Sequence, residues 1–245
     1  MSVYSKIKNG IKNLKFEIDL NSKKADDAYA MAIIQPLLNG NQYLPINGGA
    51  LRPFCMAYIL NEILISQRKS IIEFVSGIST ILIARLIKLN NLSVKFISIE
   101  HNKDWIDVLN SQLKNEGLHD IVEIVHADLV KQNSELGEVI SYEFKKIEEV
   151  ITDIKFDLVI VDGPPANIEN NKYSRFPVLL YLKNNLSNNY CFLLDDAERR
   201  GENTIIKDYK NRYPNLMFTL VGKTLGVFRN EVGFNPIPIY YSKKK

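Results

Sequence analysis

From residue 71 onward the chain alternates short apolar runs with amphipathic stretches, and this alternation limits its fold more than any other feature. The runs are SIIEFV, VKFISIE, VEIVHA, FDLVIVD, YCFLLD, MFTLVG and TLGVFRN. Each has strand length and is rich in β-branched or aromatic residues. Helical stretches are expected to start near Thr80, near Lys103, within 134 to 152, near Arg175 and near Asn203. Strand, helix, strand repeated along a chain makes a parallel sheet, because parallel neighbours need a crossover and the helix supplies it. Helices then cover both faces. The end of the chain differs. MFTLVG and TLGVFRN share the short turn GKT, which is too tight for a crossover and implies an antiparallel hairpin. The expected class is α/β: a doubly wound sheet of seven strands, mostly parallel with an antiparallel last strand, plus N-terminal helices.

Ahead of this region, Val3, Ile7, Ile11, Leu14 and Ile18 recur at helical spacing with lysines between them. Two readings stand: an amphipathic helix docked on the domain, or a basic helix making peripheral contact with an anionic membrane surface. Gly10 weakens both. Residues 25 to 39 suggest a second helix interrupted near Pro36, then a loop, then a helix from Pro53. The 245 residues, 46% hydrophobic and 24% charged, suit one α/β unit with a sizeable core. A net charge of +3 is too weak to call for nucleic acid. Cys55 and Cys191 lie far apart in apolar surroundings and read as reduced core thiols. No run approaches the roughly 20 apolar residues of a membrane span, the first residues lack the apolar core of a signal peptide, and the expected location is cytoplasmic. The tail YYSKKK reads as a solvated end.

In an open parallel sheet, ligands bind beyond the carboxyl ends of the strands, so the residues that follow each run matter most. After the first run come Ser76, Gly77, Ile78, Ser79 and Thr80. This is either a plain strand-to-helix connection or a turn whose amides receive a carboxylate or phosphate. No Lys-Ser/Thr pair follows it, which disfavours a phosphate-loop NTPase, and no GxGxxG is present for NAD. After the second run comes Glu100, somewhat more than about 20 residues beyond the glycine turn, where an acidic residue commonly accepts ribose hydroxyls. Trp105, the sole tryptophan, either flanks a nucleoside or packs in the core. Asp128 after the third run is an adenine contact or a helix cap. Asp162 ends FDLVIVD, the run expected at the centre of the sheet, and Gly163-Pro164-Pro165 stiffens the loop beside it. Asp195 and Asp196 follow the fifth run. With Asp162 they offer oxygens to a divalent cation such as Mg, or they cap a helix and pair with Arg199 and Arg200.

Taken in order, Glu73…Gly77…Ser79-Thr80, Glu100, Asp128, DLVIVDG and the closing hairpin resemble the class I S-adenosylmethionine-dependent methyltransferases over roughly residues 71 to 230. The subgroup most similar has an E-x-G-S-G-x-S-T turn, a D-G-P loop and an R-[FY]-P helix start; this chain has EFVSGIST, VDGPP and SRFP. Val75 stands where the subgroup has glycine. The resemblance implies a Rossmann-like fold and S-adenosylmethionine as cofactor. It places Glu73, Ser76, Gly77 and Ser79 around the methionine part, Glu100 at the ribose, Asp128 at adenine and Asp162 beside the transferred methyl, with His101 a further cofactor contact. Catechol-type O-methyltransferases bind a metal through the fourth-strand aspartate and an Asp-Asn pair after the fifth; Asp162 and Asp196 match, and Ala197 replaces the asparagine.

The expected activity is O-methylation of a sugar or small hydroxylated metabolite, with Asp162 as base or metal ligand and a small-molecule or glycan acceptor. Residues 1–70 form a helical extension contributing to the acceptor site, and 71–245 the cofactor-binding domain. Arg52, Tyr173 and Arg175 are candidates for an acceptor carboxylate or phosphate. A homodimer is compatible with this reading. The alternatives are a non-catalytic methyltransferase-like binding subunit and an aminopropyl transferase using the same pocket.

Overall fold

The computed structural model describes residues 3–40, 42–166 and 171–239. All seven apolar runs form strands of one sheet. They are β1 (Ser70–Phe74), β2 (Lys95–Glu100), β3 (Glu123–His126), β6 (Phe156–Val161), β7 (Leu186–Leu194), β8 (Met217–Val221) and β9 (Leu225–Arg229). Their order is β3-β2-β1-β6-β7-β9-β8. The first five are parallel, and β9 runs antiparallel to both of its neighbours. The central strands are buried almost throughout, as expected where helices cover both faces.

The C-terminal part of helix α1 (Val3–Leu38) and helices α2 (Pro53–Ile65), α3 (Ile78–Leu89) and α4 (Lys103–Asn115) contribute buried apolar residues to one core. Helices α5 (Phe144–Ile151), α6 (Pro177–Leu182) and α7 (Arg200–Arg212) build the second. The strand order reverses between β1 and β6, so the crossovers leave in opposite directions and open a crevice there. Register sets what meets in it. Phe74 pairs with both Ile99 and Val161, and Val161 pairs with Leu194. The residues that follow, Val75, Glu100, Asp162 and Asp195, therefore emerge along one edge.

One expectation gains detail and one needs correction. A helix does start within 134–152, as α5 at Phe144; ahead of it β4 (Leu129–Ser134) and β5 (Gly137–Tyr142) make a separate antiparallel hairpin that was not foreseen. The hairpin turns at Gly137, with φ +107°, and Ser134 Oγ both donates to the Gly137 carbonyl and accepts from Leu136 N–H. The two N-terminal helices are one, with Pro36 in its last turn. Only its C-terminal part docks: Ala30, Ile34 and Leu37 are buried, whereas Ile7, Ile11, Leu14 and Ile18 are between 52% and 61% exposed. Among the described residues no helix is long and apolar enough to cross a membrane. The YYSKKK tail lies outside the described residues.

Arg52 ties α1 to the sheet. Its Nε donates to Asp27 at 3.0 Å, Nη2 to the Lys23 carbonyl at 3.1 Å and Nη1 to the Gly222 carbonyl in the β8–β9 turn at 2.5 Å. Arg52→Met keeps the stem and removes these bonds, with a longer one to Thr224 Oγ1 at 3.4 Å. A charged hydrogen bond contributes about 1.5–3 kcal/mol, and bonds lost together at one partly exposed side chain do not add, so we expect a lowered urea midpoint worth at least about 2 kcal/mol with an unchanged m-value.

Candidate functional site

Where β1 ends, the backbone turns at Val75, whose φ is +83°. This is left-handed territory that a β-branched residue avoids, at a cost of about 1–3 kcal/mol. The position that asks for glycine is thus 75, not 77. Gly77 has an extended φ of −176° that any residue adopts. A Cβ added to Gly77 would meet nothing within 4 Å, so the turn is open there. Val75 stays on the ladder, donating to the Ile99 carbonyl at 2.9 Å. Its side chain lies against Gly163, where an added Cβ would come within 1.9 Å of Val75 Cγ2. Small Gly163 accommodates the bulk at 75.

Under the turn lies Glu73, 1% exposed. Its Oε2 accepts from Thr80 Oγ1 at 2.6 Å and from Ser98 Oγ at 2.9 Å; Thr80 Oγ1 in turn accepts from Gly77 N–H at 2.9 Å. Oε1 has no partner. Burial raises the carboxyl to about 7, partly offset by the Ser79, Thr80 and Ser98 hydroxyls.

Glu100 links two turns. Its Oε2 accepts from Ser76 N–H at 3.0 Å, and Oε1 from the His101 and Asn102 N–H groups at 2.9 and 2.8 Å. Burial pushes its carboxyl up, but the bonds from His101, Asn102 and Ser76 prevail and hold it below its ordinary value. Trp105 Nε1 donates to the Ser76 carbonyl at 2.9 Å, tying α4 to the same turn.

Asp162 closes the edge. The Phe74 carbonyl accepts from both Asp162 N–H and Gly163 N–H, at 3.2 and 3.0 Å. The next peptide, Gly163-Pro164, is cis. Burial raises the Asp162 carboxyl to about 7, with Arg175 opposing and Asp196 adding to the rise. Burial likewise raises Asp195, whose Oδ1 has no partner.

One cavity of about 310 Å³ is lined by Val75, Ser76, Gly77, Ser79, Glu100, His101, Trp105 and Asp162; Glu73, Asp195 and Asp196 are not among its lining residues. Its roof is apolar: Met31 and Ile34 of α1, Ile46 and Leu51 of the loop, and Met56 of α2. α1, the loop and the start of α2 all belong to residues 1–70, the extension expected to contribute to the acceptor site. Ser98 was missed; a lone serine inside the apolar run VKFISIE was the available signal.

The remaining candidates lie outside the cavity lining. Asp128, half-exposed, pairs with Lys146 at 2.5 Å and lies 3.4 Å from His126. The Arg52 guanidinium is occupied as described. Tyr173, partly buried, has the Lys172 ammonium over its ring. Arg175, 3% exposed, sits among Asp162, Asp195 and Asp196 below the cavity wall.

Comparison with known proteins gives one kind of match. No protein-family model matches the chain, and no curated protein matches it in sequence. Solved structures do match in fold. An O-methyltransferase from Bacillus cereus in complex with SAH aligns over 82% of this chain and 89% of its own, at 14% identity and TM-score 0.51. A methyltransferase from Geobacter sulfurreducens covers 82% and 87%, at 16% identity and TM-score 0.51. The SAH-bound methyltransferase PaMTH1 of Podospora anserina covers 74% and 79%, at 14% identity and TM-score 0.51. The chain therefore has the Rossmann-like fold of the class I methyltransferases.

Two outcomes are expected of this geometry. Gly163→Ala overpacks the Val75 contact and costs about 1–3 kcal/mol; in a Val75→Gly background the cost is smaller, so a double-mutant cycle by urea unfolding gives a coupling of about 1 kcal/mol. A raised native carboxyl means that the folded state keeps a proton which the unfolded state releases. Stability thus falls as pH rises from the ordinary glutamate range through about 7. Glu73→Gln removes its share, and the loss of melting temperature between about pH 5 and about pH 8 shrinks.

Proposed function

We propose that the chain is an S-adenosylmethionine-dependent methyltransferase that methylates an oxygen of a small hydroxylated acceptor. One observation carries the reading: the open turn at Gly77, the Glu100 carboxylate and the Asp162 carboxylate face one cavity at the β1/β6 reversal. SAH, named with two of the similar structures, is what remains of this cofactor after its methyl has left. The donor set fits such a molecule. Ser76, Gly77 and Ser79 offer polar groups at an open turn for the amino-acid end. Glu100, held ionised by three amides, retains lone pairs for ribose hydroxyls. His101 and Trp105 stand beside it for the base. Asp128 lies off the cavity, so an adenine contact there needs a longer reach.

The cofactor supplies a methyl group on a sulfonium, already activated toward displacement. The protein's part is to align the acceptor and take its proton. Asp162, raised to about 7, is tuned to accept a proton near neutral pH. With the cofactor held by Ser76, Gly77, Ser79 and Glu100, Asp162 would accept the hydroxyl proton of the acceptor as its oxygen takes the methyl group. Met31, Ile34, Ile46 and Leu51 keep water from this step. In this reading residues 1–70 provide the roof over the cofactor-binding domain, and the cavity's size fits a small-molecule acceptor.

Val75 supports a second reading, a binding subunit that no longer methylates, because its side chain stands in the turn where the resembled subgroup has none. Calorimetric titration with S-adenosylmethionine, and separately with NAD, decides. Binding of the first alone, followed by an Asp162→Asn variant that still binds but turns over about 100-fold or more slowly, is the expected outcome. Failure to bind S-adenosylmethionine sinks the enzyme reading.

A further inference from the structure

Asp162, Asp195 and Asp196 each place a carboxylate oxygen within 4.8 Å of the others, at the ends of β6 and β7. Clustered oxygens of this kind are what a hard divalent cation takes. Here a side chain already stands among them. Arg175 Nη2 lies 3.4 Å from Asp162 Oδ1, and Nη1 lies 3.1 Å from Asp196 Oδ2. Nη1 also donates to the Asp195 carbonyl at 3.1 Å, and Nε to the Pro164 carbonyl at 3.4 Å. Glu202 Oε1 is 3.8 Å away. We propose that the Arg175 guanidinium is the resident cation of this site, and that the protein binds no divalent metal there.

Three features carry this. First, Arg175 is pinned by backbone as well as by charge. Two carbonyls accept from it, and they would lose a buried donor if it swung aside. Its charge would be left without partners in a place only 3% exposed. Second, a guanidinium cannot deprotonate to make way, and its planar set of five N–H groups satisfies several oxygens at once. Third, the acidic cluster is already partly neutralised and short of ligands. Arg199 Nη1 reaches Asp196 Oδ2 at 2.6 Å, so that oxygen serves two arginines. The next residue is Ala197, buried, with no oxygen on its side chain. A divalent ion seeking about six oxygens would find an arginine in the middle and a methyl at the rim.

The consequence for chemistry rests on the methyltransferase reading. Arg175 does not line the cavity; it holds one oxygen of Asp162 from below and so is a positioning residue. The acceptor's acidity is not raised by a metal, and Asp162 takes the proton unaided.

The test uses the whole chain, stripped with chelator and titrated with Mn²⁺, followed by electron paramagnetic resonance and thermal melting. Wild type and Arg175→Lys are expected to leave Mn²⁺ free and their melting temperatures unmoved. Arg175→Met, close in volume but uncharged, vacates the cluster and is expected to take up Mn²⁺ and melt higher with it. Mn²⁺ bound by wild type and lost in Asp162→Asn would overturn the proposal, as would an Arg175→Met protein that folds and still refuses the ion. Should Arg175→Met fail to fold, the wild-type and Arg175→Lys titrations decide alone. Turnover of wild type that persists in excess chelator, and is higher in Arg175→Lys than in Arg175→Met, is the matching kinetic result. Mn²⁺ binding reads the cation site whether or not S-adenosylmethionine binds, so failure of one idea is not mistaken for failure of the other.

Discussion

The site depends on one carboxylate that faces backbone. Glu100 accepts hydrogen bonds from the amide of Ser76 just beyond β1 and from those of His101 and Asn102 just beyond β2. Two loops that belong to different crossovers are thereby held as one surface. Charge-assisted bonds to amides are about twice as strong as neutral ones, and here they are nearly withdrawn from water. The indole of Trp105 adds a second tie to the same turn. Without this bracket the helix starts of α3 and α4 would be free to drift apart, and the cavity between them would lose its shape.

Beneath that bracket the strand ends carry a concentration of acid. Glu73, Asp162 and Asp195 are all raised by burial, and only some of their oxygens find partners. Strained or unsatisfied groups of this kind collect where a fold does chemistry rather than where it merely packs. Val75 belongs to the same account. A valine at φ +83° is tolerated because the ladder bond to Ile99 and the bare face of Gly163 fix it in place.

Much of the architecture was readable from the chain. Each of the seven apolar runs is a strand, and the short GKT turn does reverse direction. Periodicity reports burial on one or both faces, and these strands are buried enough to show it. The β4–β5 hairpin was not legible because its exposed KQNSELGE stretch has no apolar rhythm to distinguish a strand from a loop. Chain order also placed Glu100, Gly77 and Asp162 at one edge, since strand ends in a parallel sheet point the same way. What sequence does not encode is reach. Arg175 lies 13 residues past Asp162 and 20 before Asp195, yet one guanidinium meets both. Arg52 looked free for an acceptor because its partners, Lys23, Asp27 and Gly222, are spread over the chain.

The unbroken course of α1 has a mechanical meaning. Its 36 residues form a rod roughly 54 Å long at the α-helical rise. Met31 and Ile34 hang over the cavity near one end, while the turns bearing Ile7, Ile11 and Leu14 project from the other. A rod does not bend in its middle to let a roof tile lift. The Arg52–Asp27 and Lys223–Asp19 pairs fasten it to the domain between its two ends. A force on the projecting turns is therefore carried along one element to the side chains that roof the cavity.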